Sequence, residues 1–326
     1  MTKPKILLTR RLHNFALRQM REKYRLHIHT GSIPMPKKLL KSAIKDAVGL
    51  VCFPYDRIDA DVIDAAKNLK VISTYSVGYD HIDLQAAKKH RIKVGYTPDV
   101  LTDATADLTV ALVLDVLRRL SEGDRLIRAG RWSVIFGADD YVGVDMNKKT
   151  LGILGMGRIG MAVAKRVRPF GMNVIYHSRT RLGVKAEQNM GLRYASFYQV
   201  IRKSDVLSIH VPYSKQTHQM INKDVFRRMK KTAFLVNTSR GKVIKESDLV
   251  WALRSGSIAG AALDVFESEP ISNMHPLAKM ENVVLAPHIG SSTAETRKKM
   301  AEITVQNLLL GLCGKKMVYS VDVQSS

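Results

Sequence analysis

The sequence predicts an α/β protein with two doubly wound parallel sheets, one domain inserted into the other. Three observations carry this expectation. Short apolar runs alternate with helically spaced segments through the first hundred residues, and the same alternation starts afresh at Thr150. A long apolar helix pattern precedes the restart, and another closes the chain. With 326 residues, each of two domains can bury its own core.

The first alternation has apolar runs at Ile6–Leu8, Leu26–Ile28, Leu50–Phe53, Val71–Ser73 and Ile92–Val94. Helical spacing falls between them, as in Leu12 to Met20 and Val62 to Ala66, and strands separated by helices imply right-handed parallel crossovers. A helix is expected from about Leu101 to Leu120, opened by Thr102 and Asp103 and apolar along Leu108, Ala111, Leu112, Leu114 and Leu117. The segment 121–146, with Trp132 and Phe136, reads as a long connection.

The second alternation has six runs: Leu151–Leu154, Val174–Tyr176, Val206–Ile209, Ala233–Val236, Ala259–Leu263 and Val283–Ala286. Six fit a full dinucleotide-binding sheet. The last helix pattern, Ala294 to Leu312, lies beyond that sheet, so the chain is expected to return to its first domain. The expected division is 1–100 plus 289–326 for one domain and 101–288 for the other.

Hydrophobic residues make up 45% and charged residues 25%, the balance of a globular protein. No apolar run reaches the roughly 18 residues of a membrane span, and no secretory leader precedes the first strand pattern. Cys52 and Cys313 lie in apolar segments without metal-ligand spacing. Two free buried thiols in a reducing, cytoplasmic setting are expected, and no metal site. The formal charge of +23 favours acidic ligands. Its lysines and arginines are scattered in pairs such as Lys37-Lys38 and Lys315-Lys316, which argues against a dedicated nucleic-acid arm.

Gly155-Met156-Gly157-Arg158-Ile159-Gly160 stands between a strand pattern and a helix pattern. In that context Gly155 makes the turn, Gly157 lets a pyrophosphate approach the backbone, and Gly160 lets the helix pack on its strand. Free N–H groups at the helix start then meet the phosphate. At the end of the next strand, where an acid would hold an NAD ribose, stand Ser178, Arg179 and Thr180, followed by Arg181. Arg179 with the two hydroxyls suits a 2′-phosphate, so NADP is the favoured cofactor and NAD the alternative.

Three polar clusters follow apolar strands in the second half: Asn237-Thr238-Ser239-Arg240-Gly241, Asp264-Val265-Phe266-Glu267-Ser268-Glu269-Pro270 and Pro287-His288-Ile289-Gly290-Ser291. Carboxyl ends of parallel strands are where open sheets bind ligands. With these, the chain resembles the D-isomer-specific 2-hydroxyacid dehydrogenase family over nearly its whole length. The segments that match are SVGYDHIDL (76–84), VLTDATADLTVALVL (100–114), the glycine turn, VNTSRG (236–241), LDVFESEP (263–270) and PHIGSST (287–293). Within the family the SRTR segment most resembles glyoxylate/hydroxypyruvate reductases.

The resemblance implies a Rossmann cofactor domain inserted into a flavodoxin-like substrate domain, and an NAD(P)H-dependent reduction of a small 2-keto acid to the D-2-hydroxy acid. It places the catalytic groups on Arg240, Glu269 and His288. Arg240 would bind the substrate carboxylate and polarise the carbonyl. Protonated His288 would act as general acid, with Glu269 on its other ring nitrogen favouring the charged form. The resemblance also implies substrate contacts from Val77, Gly78 and Ser291, and cofactor contacts from Thr105, Val211, Pro212, Thr238, Ser239, Asp264, His288 and Gly290. Phe53 and Pro54 are candidates to close the substrate pocket. It further implies that the 121–146 arm builds a homodimer. Tyr213 departs from the family's usual leucine. The competing readings are a D-3-phosphoglycerate or D-lactate dehydrogenase, or, in another class, a nucleotide-sensing corepressor.

Overall fold

Strand-length apolar runs dominate the first hundred residues, and in the computed structural model, which describes residues 3–322, they form one five-stranded sheet. Its strands are β1 (Lys5–Leu8), β2 (Arg25–Ile28), β3 (Ala47–Cys52), β4 (Val71–Thr74) and β5 (Lys93–Gly95). All pairings are parallel, in the order β2-β1-β3-β4-β5. The helices are α1 (Asn14–Arg21), α2 (Lys37–Ala43), α3 (Ala60–Asp64) and α4 (Leu84–Lys89). The α3 and α4 starts are held by Asp59 and Asp83, whose carboxylates accept the N–H of Val62 and Ala86.

The chain divides into two compact units, one running to Leu101 and resuming at Ser292, the other Thr102–Ser291. In the first unit the long closing helix lies against β3, β4 and β5. Gly95 makes this approach feasible, because a Cβ there would stand 2.8 Å from that of Asn307. Fully buried Asn307 then donates to Tyr96 O and accepts from Tyr319 N, both at 2.9 Å. Leu308 is likewise fully buried, and truncating such a leucine to alanine costs about 2–5 kcal/mol.

The second unit begins with α5 (Thr102–Arg118) and α6 (Leu120–Arg128), separated by Arg119 in the left-handed region at φ 55°. The expected connection over 121–146 is therefore helical in its first turns, a correction that the two charged turns of α6 concealed. Seven parallel strands follow: β6 (Thr150–Leu154), β7 (Asn173–His177), β8 (Leu192–Tyr194), β9 (Val206–Ile209), β10 (Phe234–Asn237), β11 (Gly260–Leu263) and β12 (Val283–Leu285). Their order is β12-β11-β10-β9-β6-β7-β8. The extra strand β8 was not expected from six apolar runs; it is three residues at a sheet edge, and only Leu192 is buried. The helices between strands are α7 (Arg158–Val167), α8 (Val184–Met190), α9 (Phe197–Lys203), α10 (Lys223–Phe226) and α11 (Glu246–Arg254); α12 (Ala294–Leu312) is the closing helix of the first unit.

One thiol differs from expectation. Cys52 is buried, and desolvation pushes its pKa up, but Cys313 is exposed because it caps α12 beyond the buried face of that helix. Among the described residues no helix is long and apolar enough to cross a membrane.

Candidate active site

In the second unit the strand order reverses between β6 and β9, the place where a doubly wound sheet opens a crevice at its carboxyl ends. The glycine turn lies there. Gly155 takes φ +94°, and a Cβ on it would stand 2.7 Å from the carbonyl group of His210, so only glycine lets the two loops pass. A Cβ at Gly160 would fall 2.3 Å from Gly155 O, which ties α7 tightly to its strand. Gly157 is the opposite case: a Cβ would meet nothing within 4 Å, so its backbone at the start of α7 is bare to an approaching group. This cradle fits a pyrophosphate. Met156 has its side chain in the core, which leaves only its backbone for a ligand; Arg158 is exposed and Ile159 half-buried.

Past β7, Ser178 is half-buried while Arg179 and Thr180 are exposed. Arg179 forms no ion pair or hydrogen bond among the described residues, whereas Arg181 is committed to Glu187 through Nε and Nη2 at 2.9 and 2.7 Å. Tyr176 donates to the same carboxylate at 2.6 Å. The Arg181 guanidinium and this hydroxyl hold Glu187 down to about 2. On the other side of the crevice, Val211 is half-buried and Pro212 exposed, and Tyr213 packs its ring edge-on against His218.

The three carboxyl-end clusters converge through backbone contact. Fully buried Asn237 ends β10 and shapes the next turn: its Nδ2 donates to Arg240 O, and its Oδ1 accepts from Ser239 N and Oγ. Gly241 then presses on the turn after β11, where a Cβ would lie 1.8 Å from Phe266 C. Phe266 N donates to Glu269 Oε1 at 2.9 Å, and the other carboxylate oxygen accepts from His288 Nδ1 at 2.7 Å. Arg240 is half-buried, and its Nη1 donates to Ser239 O.

His288 sits at φ +54°, an uncommon conformation for a residue with a Cβ. Asp264 holds the turn that imposes it, accepting Ile289 N at 2.7 Å and Gly290 N at 2.8 Å. Burial raises the Asp264 carboxyl above its usual range, against the pull of these N–H donors and of His288. Two threonines of α5 pin the clusters from behind: Thr105 Oγ1 donates to Gly290 O, and Thr109 and Thr238 share a hydroxyl bond of 2.9 Å. Thr109 and Asn237 were not among the expected site residues; each acts through partners that spacing along the chain does not reveal.

The second unit thus brings together Arg240, Glu269, His288, Asp264, Thr105, Thr238, Ser239 and Gly290. Ser291 is half-buried at its end. Val77 and Gly78 belong to the first unit, in a loop held by Ser76 Oγ, which donates to Gly78 O at 2.6 Å. Phe53, also there, is core, tilted on Tyr75 with centroids 5.1 Å apart. Among the described residues no cluster of His, Cys, Asp or Glu could hold a metal ion.

Residues 110–290 match the NAD-binding domain of the D-isomer-specific 2-hydroxyacid dehydrogenases. The chain belongs to this family. It is 45% identical to a glyoxylate reductase of Thermofilum pendens over 97% of this chain and 93% of the relative. A crystal structure of the TT0316 protein from Thermus thermophilus superposes with a TM-score of 0.90 at 44% identity, covering 97% of this chain and 99% of that one. An NADPH-dependent glyoxylate/hydroxypyruvate reductase from Sinorhizobium meliloti, solved with NADP and malonate, gives a TM-score of 0.87 at 30% identity, covering 99% and 98%. A nicotinamide-dependent oxidoreductase on two parallel-sheet domains is what this family membership means for the chain.

Proposed function

We propose that the protein reduces glyoxylate or hydroxypyruvate to the D-2-hydroxy acid, with NADPH as the preferred cofactor. The observation that supports this reading best is the 2.7 Å bond between His288 and Glu269, on a turn packed against the Arg240 loop. Gly155, Gly157 and Gly160 would hold the pyrophosphate of the dinucleotide, which when bound would supply the hydride for C2 of the keto acid. Arg240 holds the substrate carboxylate and draws charge onto the carbonyl oxygen. Glu269 accepts the Nδ1 proton, so Nε2 of the imidazolium carries the proton that the carbonyl oxygen takes up. In oxidation the same nitrogen removes it. Val77, Gly78 and Ser291 are proposed to contact the carboxylate, and Val211, Pro212, Thr238 and Ser239 to line the cofactor groove. Asp264 is proposed to meet the carboxamide as well as to hold the His288 turn.

The test is NADPH oxidation with glyoxylate, hydroxypyruvate and pyruvate, beside the His288→Ala variant. Turnover on the first two, lowered roughly 10²- to 10⁴-fold in the variant, supports the reading. Absence of turnover on all three with either NADPH or NADH would leave only the fold and the family.

We also infer a homodimer built by the arm. Leu120, Ile127, Trp132, Val134, Ile135, Phe136 and Val142 are all exposed there, an apolar concentration that a monomer rarely leaves in water. A cytoplasmic location suits the exposed free thiol of Cys313.

A further inference from the structure

The loop that carries Glu269 leaves β11 and returns at the 3-10 turn Pro276–Lys279. Both of its stems meet at one carboxylate outside the catalytic triad. Glu246, the first residue of α11, accepts Glu267 N on Oε2 at 3.1 Å and binds His275 Nε2 on Oε1 at 2.9 Å. Leu277 N donates to His275 Nδ1 at 3.3 Å, which makes Nδ1 the acceptor and leaves the proton on Nε2, directed at Glu246. The side chains of Glu246 and His275 are 16% and 22% exposed, so water competes weakly for these bonds. Gln219 adds a link: its Nε2 donates to Glu267 Oε1 at 3.0 Å, and its backbone N donates to Lys242 O beside the Arg240 turn.

We propose that Glu246 and His275 are positioning residues for the reaction: they clamp both stems of the loop and so hold the Glu269 carboxylate at His288 Nδ1. The proposal rests on His288 and Glu269 being the acid and its partner. Without the clamp the loop stays anchored at its ends by Phe266 and by fully buried Leu277, so the protein folds. Between those anchors Glu269 then samples geometries in which His288 is free to turn. Misplacement on the ångström scale is costly to a proton transfer while leaving the distant glycine turn untouched.

Two substitutions at His275 separate the clamp from the capping of the 3-10 turn. Asparagine retains an acceptor near Nδ1 for Leu277 N but loses the reach to Glu246. Glutamine carries an amide donor near the position of Nε2. Glu246→Gln is the third variant, because its NH2 group must face one of two N–H donors. We expect His275→Asn and Glu246→Gln to fold, to bind NADPH as the wild type does by fluorescence titration, and to lose about 10- to 100-fold in kcat. The low-field proton resonance of the His288–Glu269 bond should broaden or vanish in both. His275→Gln should recover most of kcat and the resonance. Wild-type kcat and resonance in His275→Asn and Glu246→Gln overturn the proposal, as does an equal loss in His275→Gln and His275→Asn, or failure of His275→Asn to fold. His288→Ala, run in parallel, keeps the two ideas apart: if it alone loses turnover the clamp is wrong, and if it retains turnover the underlying assignment is wrong.

Discussion

Arg181 and Glu187 form a two-pronged ion pair at 2.9 and 2.7 Å, on a carboxylate that also accepts the Tyr176 hydroxyl. Two basic residues of the SRTR segment therefore have different fates. Arg181 fixes the loop to α8, and Arg179 is left exposed with no ion pair among the described residues.

That division predicts how cofactor choice is made. Arg179→Ala should weaken NADPH binding about 10- to 100-fold, the worth of one charge-assisted hydrogen bond, and leave NADH binding nearly unchanged. Fluorescence titration with both nucleotides measures this. An equal loss for the two would mean that Arg179 does not read the 2′-phosphate.

Acid should cost the second unit stability through His210. This residue ends the β9 side of the crevice, with Nε2 2.8 Å from Ser208 Oγ, and burial holds its pKa down to about 4. The unfolded chain takes up the proton near 6.5, whereas the folded protein refuses it until about 4. The contribution is then complete above pH 6.5 and is lost as the pH falls through 4, with a ceiling of about 3 kcal/mol. Denaturant unfolding from pH 7 to 4 should show a shallower acid limb in His210→Gln than in the wild type. Parallel limbs would remove His210 from the account.

The arm predicts the assembly. Phe136 and Tyr141 stack at 5.1 Å with planes 5° apart, and Arg119 covers the Tyr141 ring, while Trp132, Val134 and Ile135 of the arm are exposed. Beneath it a cavity of 480 Å³ is lined by Leu117, Val142, Val144, Phe234 and Val284. Light scattering at micromolar concentration should give twice the 36.5 kDa chain mass, and Ile135→Asp should shift it toward the monomer. A wild-type monomer would refute the dimer.

Much of this was legible in the chain itself, and the reason is local. Eleven of the twelve strands were announced by apolar runs, because most of them are buried on both faces and so must be nearly continuously apolar; β2 at the sheet edge, with Arg25 and His27 exposed, shows only alternation through Leu26 and Ile28. The glycine turn, Arg240, Glu269 and His288 stand in short segments at strand ends, where backbone geometry and chemistry are set within a few residues. By contrast β8 escaped because one buried residue in three gives no periodic signal, and Cys313 because a helix cap leaves the face that its neighbours bury.

What only the tertiary structure decided are the bonds between segments far apart in sequence. The bond from Thr109 to Thr238 spans 129 residues, and that from Glu246 to His275 spans 29. Spacing along the chain carries no information about such pairs, since each forms only when a helix has packed on the sheet and aligned two loops. The sequence alone singled out Arg240, Glu269 and His288 as the candidate reacting groups. Their orientation, with Glu269 on Nδ1 and His288 held at positive φ by Asp264, depends on packing that places those distant partners within hydrogen-bond reach.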